Sequence, residues 1–143
     1  MNNAKAGREI QAIRRLFKAW YDAMERGYVE KLVSLVTTDV VMKPPDSAPI
    51  LGKAALERAL SGFLDANSET VDYDLQEIEV GGNFAFARIL ESAVIVPEGG
   101  DAFNVKGMHL TILRREPAEG WLIARNICSL IEDVSLQVCD VSS

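Results

Sequence analysis

The sequence predicts an α+β fold, with three N-terminal helices packed on a curved antiparallel sheet. Apolar residues recur at three- and four-residue intervals through the first third of the chain. The period then switches to strand-like alternation at Val71, and the last three strand patterns are joined by turns of hairpin length. A long amphipathic helix cannot bury its stripe alone, and the later strands supply the surface it needs.

Helix 1 is predicted from Arg8 to Arg26, after a frayed or irregular lead-in at residues 1–7. Ile10, Ile13, Phe17, Trp20, Tyr21 and Met24 share one face, and Arg14, Arg15, Lys18, Asp22 and Glu25 the opposite, solvated one. Gly27 breaks the pattern. A shorter helix follows from Val29 to Val36, with Val29, Leu32, Val33 and Val36 inward. Asp39 is expected to cap a turn into a short strand at Val40, Val41 and Met42. Three prolines between Lys43 and Pro49 exclude helix and central strand, so that stretch is an ordered loop. Helix 3 runs from Lys53 to Ala66 with Leu56, Leu60, Phe63 and Leu64 as its buried stripe.

Val71 to Val80 alternates with a change of phase at Ile78, which suggests a bulge. Gly81, Gly82 and Asn83 make a hairpin turn into a long strand from Phe84 to Val96. A third strand spans Ala102 to Arg115, and a fourth Trp121 to Cys128. On the Phe84 strand both faces are apolar: Phe84, Phe86, Leu90, Val94 and Val96 on one, Ala85, Ala87, Ile89, Ala93 and Ile95 on the other. One face covers the helices. The other needs a cover the chain does not provide, and a C2 homodimer through this outer sheet face is the expected solution.

The 143 residues are expected to form one domain, with a core of about 8–128 and a C-terminal extension 129–143. The extension carries Leu130, Ile131, Val134, Leu136 and Val138, and part of it is expected to pack on the sheet or across the dimer. A composition 48% hydrophobic and 25% charged is that of an ordinary globular protein. No apolar run reaches bilayer length and the N-terminus lacks the apolar core of a secretion signal, so a cytoplasmic protein without membrane contact is expected. The formal charge of -6 argues against a nucleic-acid footprint. Cys128 and Cys139 lack a spacing motif and are expected to be free thiols. One histidine and no clustered carboxylates argue against a metal site. No phosphate loop or nucleophile elbow is present, and no cofactor is expected.

Four passages, in order, resemble the NTF2-like or SnoaL-like superfamily of cystatin-like α+β folds. They are Trp20 to Gly27, Leu32 to Val41, Pro49 to Leu56, and the closing pair Gly107 to Arg115 with Gly120 to Asn126. The likeness covers roughly Ile10 to Cys128 and is nearest to ketosteroid-isomerase-like and DUF4440-type members. It implies a cone, in which the sheet wraps helix 1 around a pocket open at one end. The superfamily includes isomerases, dehydratases, polyketide cyclases and non-catalytic binding or assembly domains, so the fold does not fix the function.

A ketosteroid isomerase needs a helix-1 tyrosine, a carboxylate base after the first strand and a protonated acid on a later strand. Aligned on Gly27, the tyrosine position falls on Trp20 with Tyr21 beside it, and the base position falls on Pro44, with Asp46 nearby. Pro44 cannot take a proton, which removes the base. The dehydratases use paired histidines, and this chain has one.

His109 is the single side chain with an ordinary pKa near neutrality and is the candidate proton carrier, on a strand face with Phe103, Val105, Gly107, Thr111 and Leu113. Trp20, Tyr21, Met42, Asp46 and Asn126 are the candidate ligand-binding residues. Trp20 offers an indole N–H donor, and Met24, Met42 and Met108 an adaptable apolar wall. Asn126 is expected to share a face with Leu122, Ala124 and Cys128, leaving Arg125 on the other to pair with an acid such as Glu91. The acidic stretch from Glu69 to Glu79 reads as a solvated edge strand. Three functions fit these features: binding of a small, mainly apolar molecule, a cofactor-independent isomerase, cyclase or dehydratase using His109, or a non-catalytic dimerisation or assembly module.

Overall fold

The structure is a computed structural model and describes residues 3–131. Its elements are α1 (Asn3–Arg26), α2 (Val29–Ser34), β1 (Val36–Lys43), β2 (Ile50–Leu51), α3 (Lys53–Ala66), β3 (Asn67–Gly81), β4 (Phe84–Pro97), β5 (Phe103–Glu116) and β6 (Gly120–Leu130). α1 stops where its spacing says it should. Gly27 takes φ +72°, and the Tyr28 N–H turns back to the Ala23 carbonyl at 2.9 Å, a left-handed cap that a side chain would disfavour. α3 has the expected bounds, and the first strand is longer than expected, beginning at Val36 inside the segment read as helix.

All six strands form one sheet in the order β2-β1-β6-β5-β4-β3. The expectation of a cone around helix 1 is overturned: the sheet is open, neither closed nor strongly curled, with β2 and β3 as separate edges. It is also not wholly antiparallel, because β1 runs parallel to β6, pairing Met42 with Asn126 and Lys43 with Ile127. The edge strands explain the open ends. β2 is two residues long, held between the proline loop and the start of α3, and too short to extend the sheet. β3 presents Asp72, Asp74 and Glu79 to solvent, charges that discourage further pairing. β3 does carry the bulge its change of phase predicted, as a register shift against β4 between Leu75 and Glu77.

The helices cover one sheet face. Ile13, Leu16, Phe17 and Tyr21 of α1 pack with Leu56 of α3 against Ala85, Ala87, Ile89 and Ala93 of β4, Leu113 of β5 and Ile123 of β6. The other face carries Phe84, Val94, Val96, Met108, Leu110 and Ile127, each between 40% and 55% exposed. At the C-terminal end, Ser129 and Leu130 belong to β6, and the Ile131 N–H donates to the Lys106 carbonyl at 2.8 Å. Cys139 and the apolar positions Val134, Leu136 and Val138 lie outside the described residues. No helix among the described residues is long and apolar enough to cross a membrane.

Candidate functional site

Between α1, α3 and the inner sheet face lies a cavity of about 340 Å³. Phe17, Trp20, Tyr21 and Met24 reach it from α1 because their three- and four-residue spacing keeps them on one face. Leu60 and Phe63 of α3 face this space and stay only half-buried, Leu60 also packing against the core. Met42, Pro44, Pro45 and Ile50 complete an apolar wall.

Tyr21, Glu91, His109, Asn126 and Thr111 form one connected network on the wall. Glu91 sits at its centre. The Tyr21 hydroxyl donates to Glu91 Oε2 at 2.8 Å, and His109 Nε2 lies 3.0 Å from the same oxygen. That second contact is close but off the N–H direction, so it acts through charge more than as a linear hydrogen bond. On the far side of the imidazole, Asn126 Nδ2 is 3.2 Å from His109 Nδ1. The buried Thr111 hydroxyl donates to Asn126 Oδ1 at 2.7 Å. Asn126 Oδ1 also lies 3.4 Å from His109 Nδ1, so the same oxygen can accept from the Nδ1–H of a doubly protonated ring whose Nε2 faces Glu91. Tyr21 also stacks on Tyr73, with ring centroids 4.1 Å apart, which fixes its ring in place.

These neighbours shift the titrating groups. Burial disfavours the imidazolium of His109, but Cys128 and Glu91 outweigh it and push the ring up to about 10. Burial raises Glu91, but His109 and Tyr21 more than compensate and hold its carboxyl below the ordinary range. The Tyr21 phenol is pushed far up, first by burial and then by Glu91. Glu69, at the start of β3, is raised to about 7 by burial and by the charges of Glu91 and Glu25. The cavity thus holds a fixed carboxylate–imidazolium pair and a second carboxyl that changes charge near neutrality.

Of the residues singled out from sequence, Trp20, Tyr21, Met42, His109 and Asn126 lie on this wall. Asp46 does not: it is exposed in the loop after β1, with φ +55°. Asn126 faces inward by a different route from the one expected. β6 shifts register against β5 between Ile112 and Leu113, pairing them with Arg125 and Ile123 and leaving Ala124 as an extra residue. Ile123, Asn126 and Cys128 therefore all reach the cavity, which strict alternation forbids. Arg125 does not pair with Glu91; its Nη1 donates to the Asp39 carbonyl at 2.9 Å. Asp39 caps no turn. It is an exposed β1 residue whose carboxylate is held well below its usual range, chiefly by a bond from Arg114 at 2.7 Å.

Sequence reasoning passed over Glu91, Glu69, Thr111 and Cys128. Glu91 was legible, since it falls in phase with Ala87, Ile89 and Ala93 on the inward face of β4. Glu69 was absorbed into an acidic edge that otherwise is solvated. Among the described residues no group of three or more ligating side chains is placed to hold a metal ion.

The SnoaL-like domain family matches residues 17–116, and no DUF4440-type match accompanies it. No curated protein matches the sequence. A conserved protein from Planctomyces limnophilus is 25% identical with TM-score 0.82, over 87% of this chain and 98% of that one. A ketosteroid isomerase-like protein from Erwinia carotovora atroseptica shares 21% identity and TM-score 0.80, over 87% and 97%. An NTF2-like superfamily protein from Salmonella enterica has 14% identity and TM-score 0.79, over 90% and 94%.

Proposed function

The chain belongs to the SnoaL-like domain family, and from that premise we propose that it binds a small, mainly apolar molecule bearing one or two oxygen functions. The observation that carries this reading is the cavity itself. Its volume of about 340 Å³ sits at the small end of ligand pockets, which run from about 300 to 1,000 Å³. Its wall is apolar except for the Tyr21–Glu91–His109–Asn126 network and Glu69, so a ligand's polar group has one place to go. An assembly module filled by its own side chains would have no such space.

A second reading, proton-transfer chemistry of isomerase, cyclase or dehydratase type, is favoured by the titrating groups. His109 is the proton carrier in that reading, with Glu91 holding its charge and Asn126 its orientation. Glu69 supplies a carboxyl able to exchange a proton near pH 7. For partners, the apolar outer sheet face supports a homodimer, with a second copy of the same face as its cover.

The test of binding uses Trp20 as reporter. Titration with 4-phenyl-2-butanone, an apolar ketone of suitable size, is expected to quench tryptophan fluorescence saturably, and Trp20→Phe to abolish the response. Absence of saturable quenching, together with no co-purifying compound in native mass spectrometry, would refute the pocket reading.

A further inference from the structure

Resting on the pocket reading, we propose that Cys128 is a nucleophile that adds covalently to apolar α,β-unsaturated carbonyl compounds in the cavity, with His109 as its proton carrier. Cys128 and His109 are directly paired across β6 and β5, and both line the cavity. Gly107, two residues before His109, leaves the room in which the two side chains meet. A Cβ there would stand 3.2 Å from Cys128 Sγ and 3.8 Å from His109 Nε2. The imidazole is in turn oriented by Asn126 on one side and Glu91 on the other. A nucleophile beside a histidine that two further groups hold in place is an arrangement suited to covalent catalysis. The sulfur is neither sealed in the core nor free in solvent, which distinguishes reactive thiols from inert buried ones.

The electrophile's class follows from what surrounds the pair. Acyl transfer needs free backbone N–H groups around the carbonyl oxygen next to the nucleophile. His109 lies on β5 with hydrogen-bonded strands on both sides, and Cys128 lies in the β5–β6 ladder, so the amides around them are committed to the sheet. Conjugate addition makes no such demand, because its charge develops on an oxygen several atoms away from the sulfur. In the step, the thiol gives up its proton to solvent and sulfur bonds to the β-carbon. The π pair of the C=C bond moves to the carbonyl oxygen as an enolate, and the His109 imidazolium gives its proton to the α-carbon and takes another from solvent. The S–H adds across the double bond, and no oxidant, reductant or leaving group is involved.

The experiment uses the full chain in a Cys139→Ser background, so that Cys128 is the sole thiol, with 4-phenyl-3-buten-2-one as probe. Loss of enone absorbance and a single adduct by intact mass, mapped to Cys128, are expected, at a rate roughly tenfold or more above that of glutathione at the same pH. The advantage is expected to vanish in urea, and His109→Gln to slow the native reaction by roughly a hundredfold. Gly107→Ala, which presses on the sulfur, tests the same geometry without removing a reacting group and is expected to slow addition. A Cys128 rate no greater than that of glutathione, or one that His109→Gln leaves unchanged, overturns the proposal. If the saturated ketone binds while the enone leaves no adduct, this inference falls and the pocket reading stands. If neither binds, the pocket reading itself has failed.

Discussion

Glu91 Oε2 serves two partners at once, the Tyr21 hydroxyl and the His109 ring, and that sharing sets what substitution does here. Tyr21→Phe keeps the stack on Tyr73 but deprives a half-buried carboxylate of its best-aligned donor. A loss of about 1–2 kcal/mol in urea unfolding is expected; an unchanged midpoint would mean that water replaces the hydroxyl without cost. The pH dependence has a definite sign. His109 is raised from 6.5 to about 10 on folding. Its contribution is therefore complete below about pH 6.5 and drains away as pH rises toward 10. Glu69, raised from 4.5 to about 7, acts in the same direction at lower pH, favouring the fold below about 4.5 and losing that contribution through 7. Glu91, held low, loses its contribution only on acidification. The melting temperature is thus expected to fall from pH 6 to pH 10, and His109→Gln to flatten the upper part of that slope. An equally steep fall in the variant would show that the imidazole carries no such charge. None of this could be taken from sequence, because it depends on strands 18 and more residues apart converging on one oxygen.

At the scale of elements, periodicity carried most of the fold. The spacing of Ile13, Phe17 and Tyr21 announced α1, Leu56 to Leu64 announced α3, and the phase change at Ile78 announced the β3 bulge. The β6 bulge at Ala124 left no such mark, because Trp121 to Ala124 is apolar throughout and any phase reads equally well. That one extra residue decides that Asn126 and Ile123 share the inner face. The open ends of the sheet were equally hidden, since strand patterns report faces and not how far edge strands reach. Within α3 the stripe divides into two jobs. Leu56 is 1% exposed in the core, whereas Phe63 is half-buried against the cavity. Leu56→Ala is expected to cost about 2–5 kcal/mol. Phe63→Ala is expected to cost less in unfolding and to change ligand affinity more, because it widens a space that already exists. Equal losses of stability in the two variants would remove the distinction.

For the whole molecule, the sheet's outer face sets the expectation. Phe84, Val94, Val96, Met108, Leu110 and Ile127 lie open on it, and a run of exposed apolar residues on one face is the kind of surface that marks an interaction site. Of the charges that share this face, Arg88 pairs with Glu77 at 3.2 Å and Arg114 with Asp39 at 2.7 Å, while Asp72, Asp74 and Lys106 lie on it exposed. A two-fold axis through the face sets each copy's apolar strip against the other's, a closed arrangement that leaves nothing to propagate. Sedimentation of the native chain at tens of micromolar is expected to show a dimer. Leu110→Lys puts an unpaired ammonium at the centre of that strip while leaving α1, α3 and the cavity wall untouched. It is expected to shift the protein to monomer while tryptophan quenching by the ketone persists. A native chain that sediments as a monomer at those concentrations would sink the dimer, and a variant that stays dimeric would place the interface elsewhere.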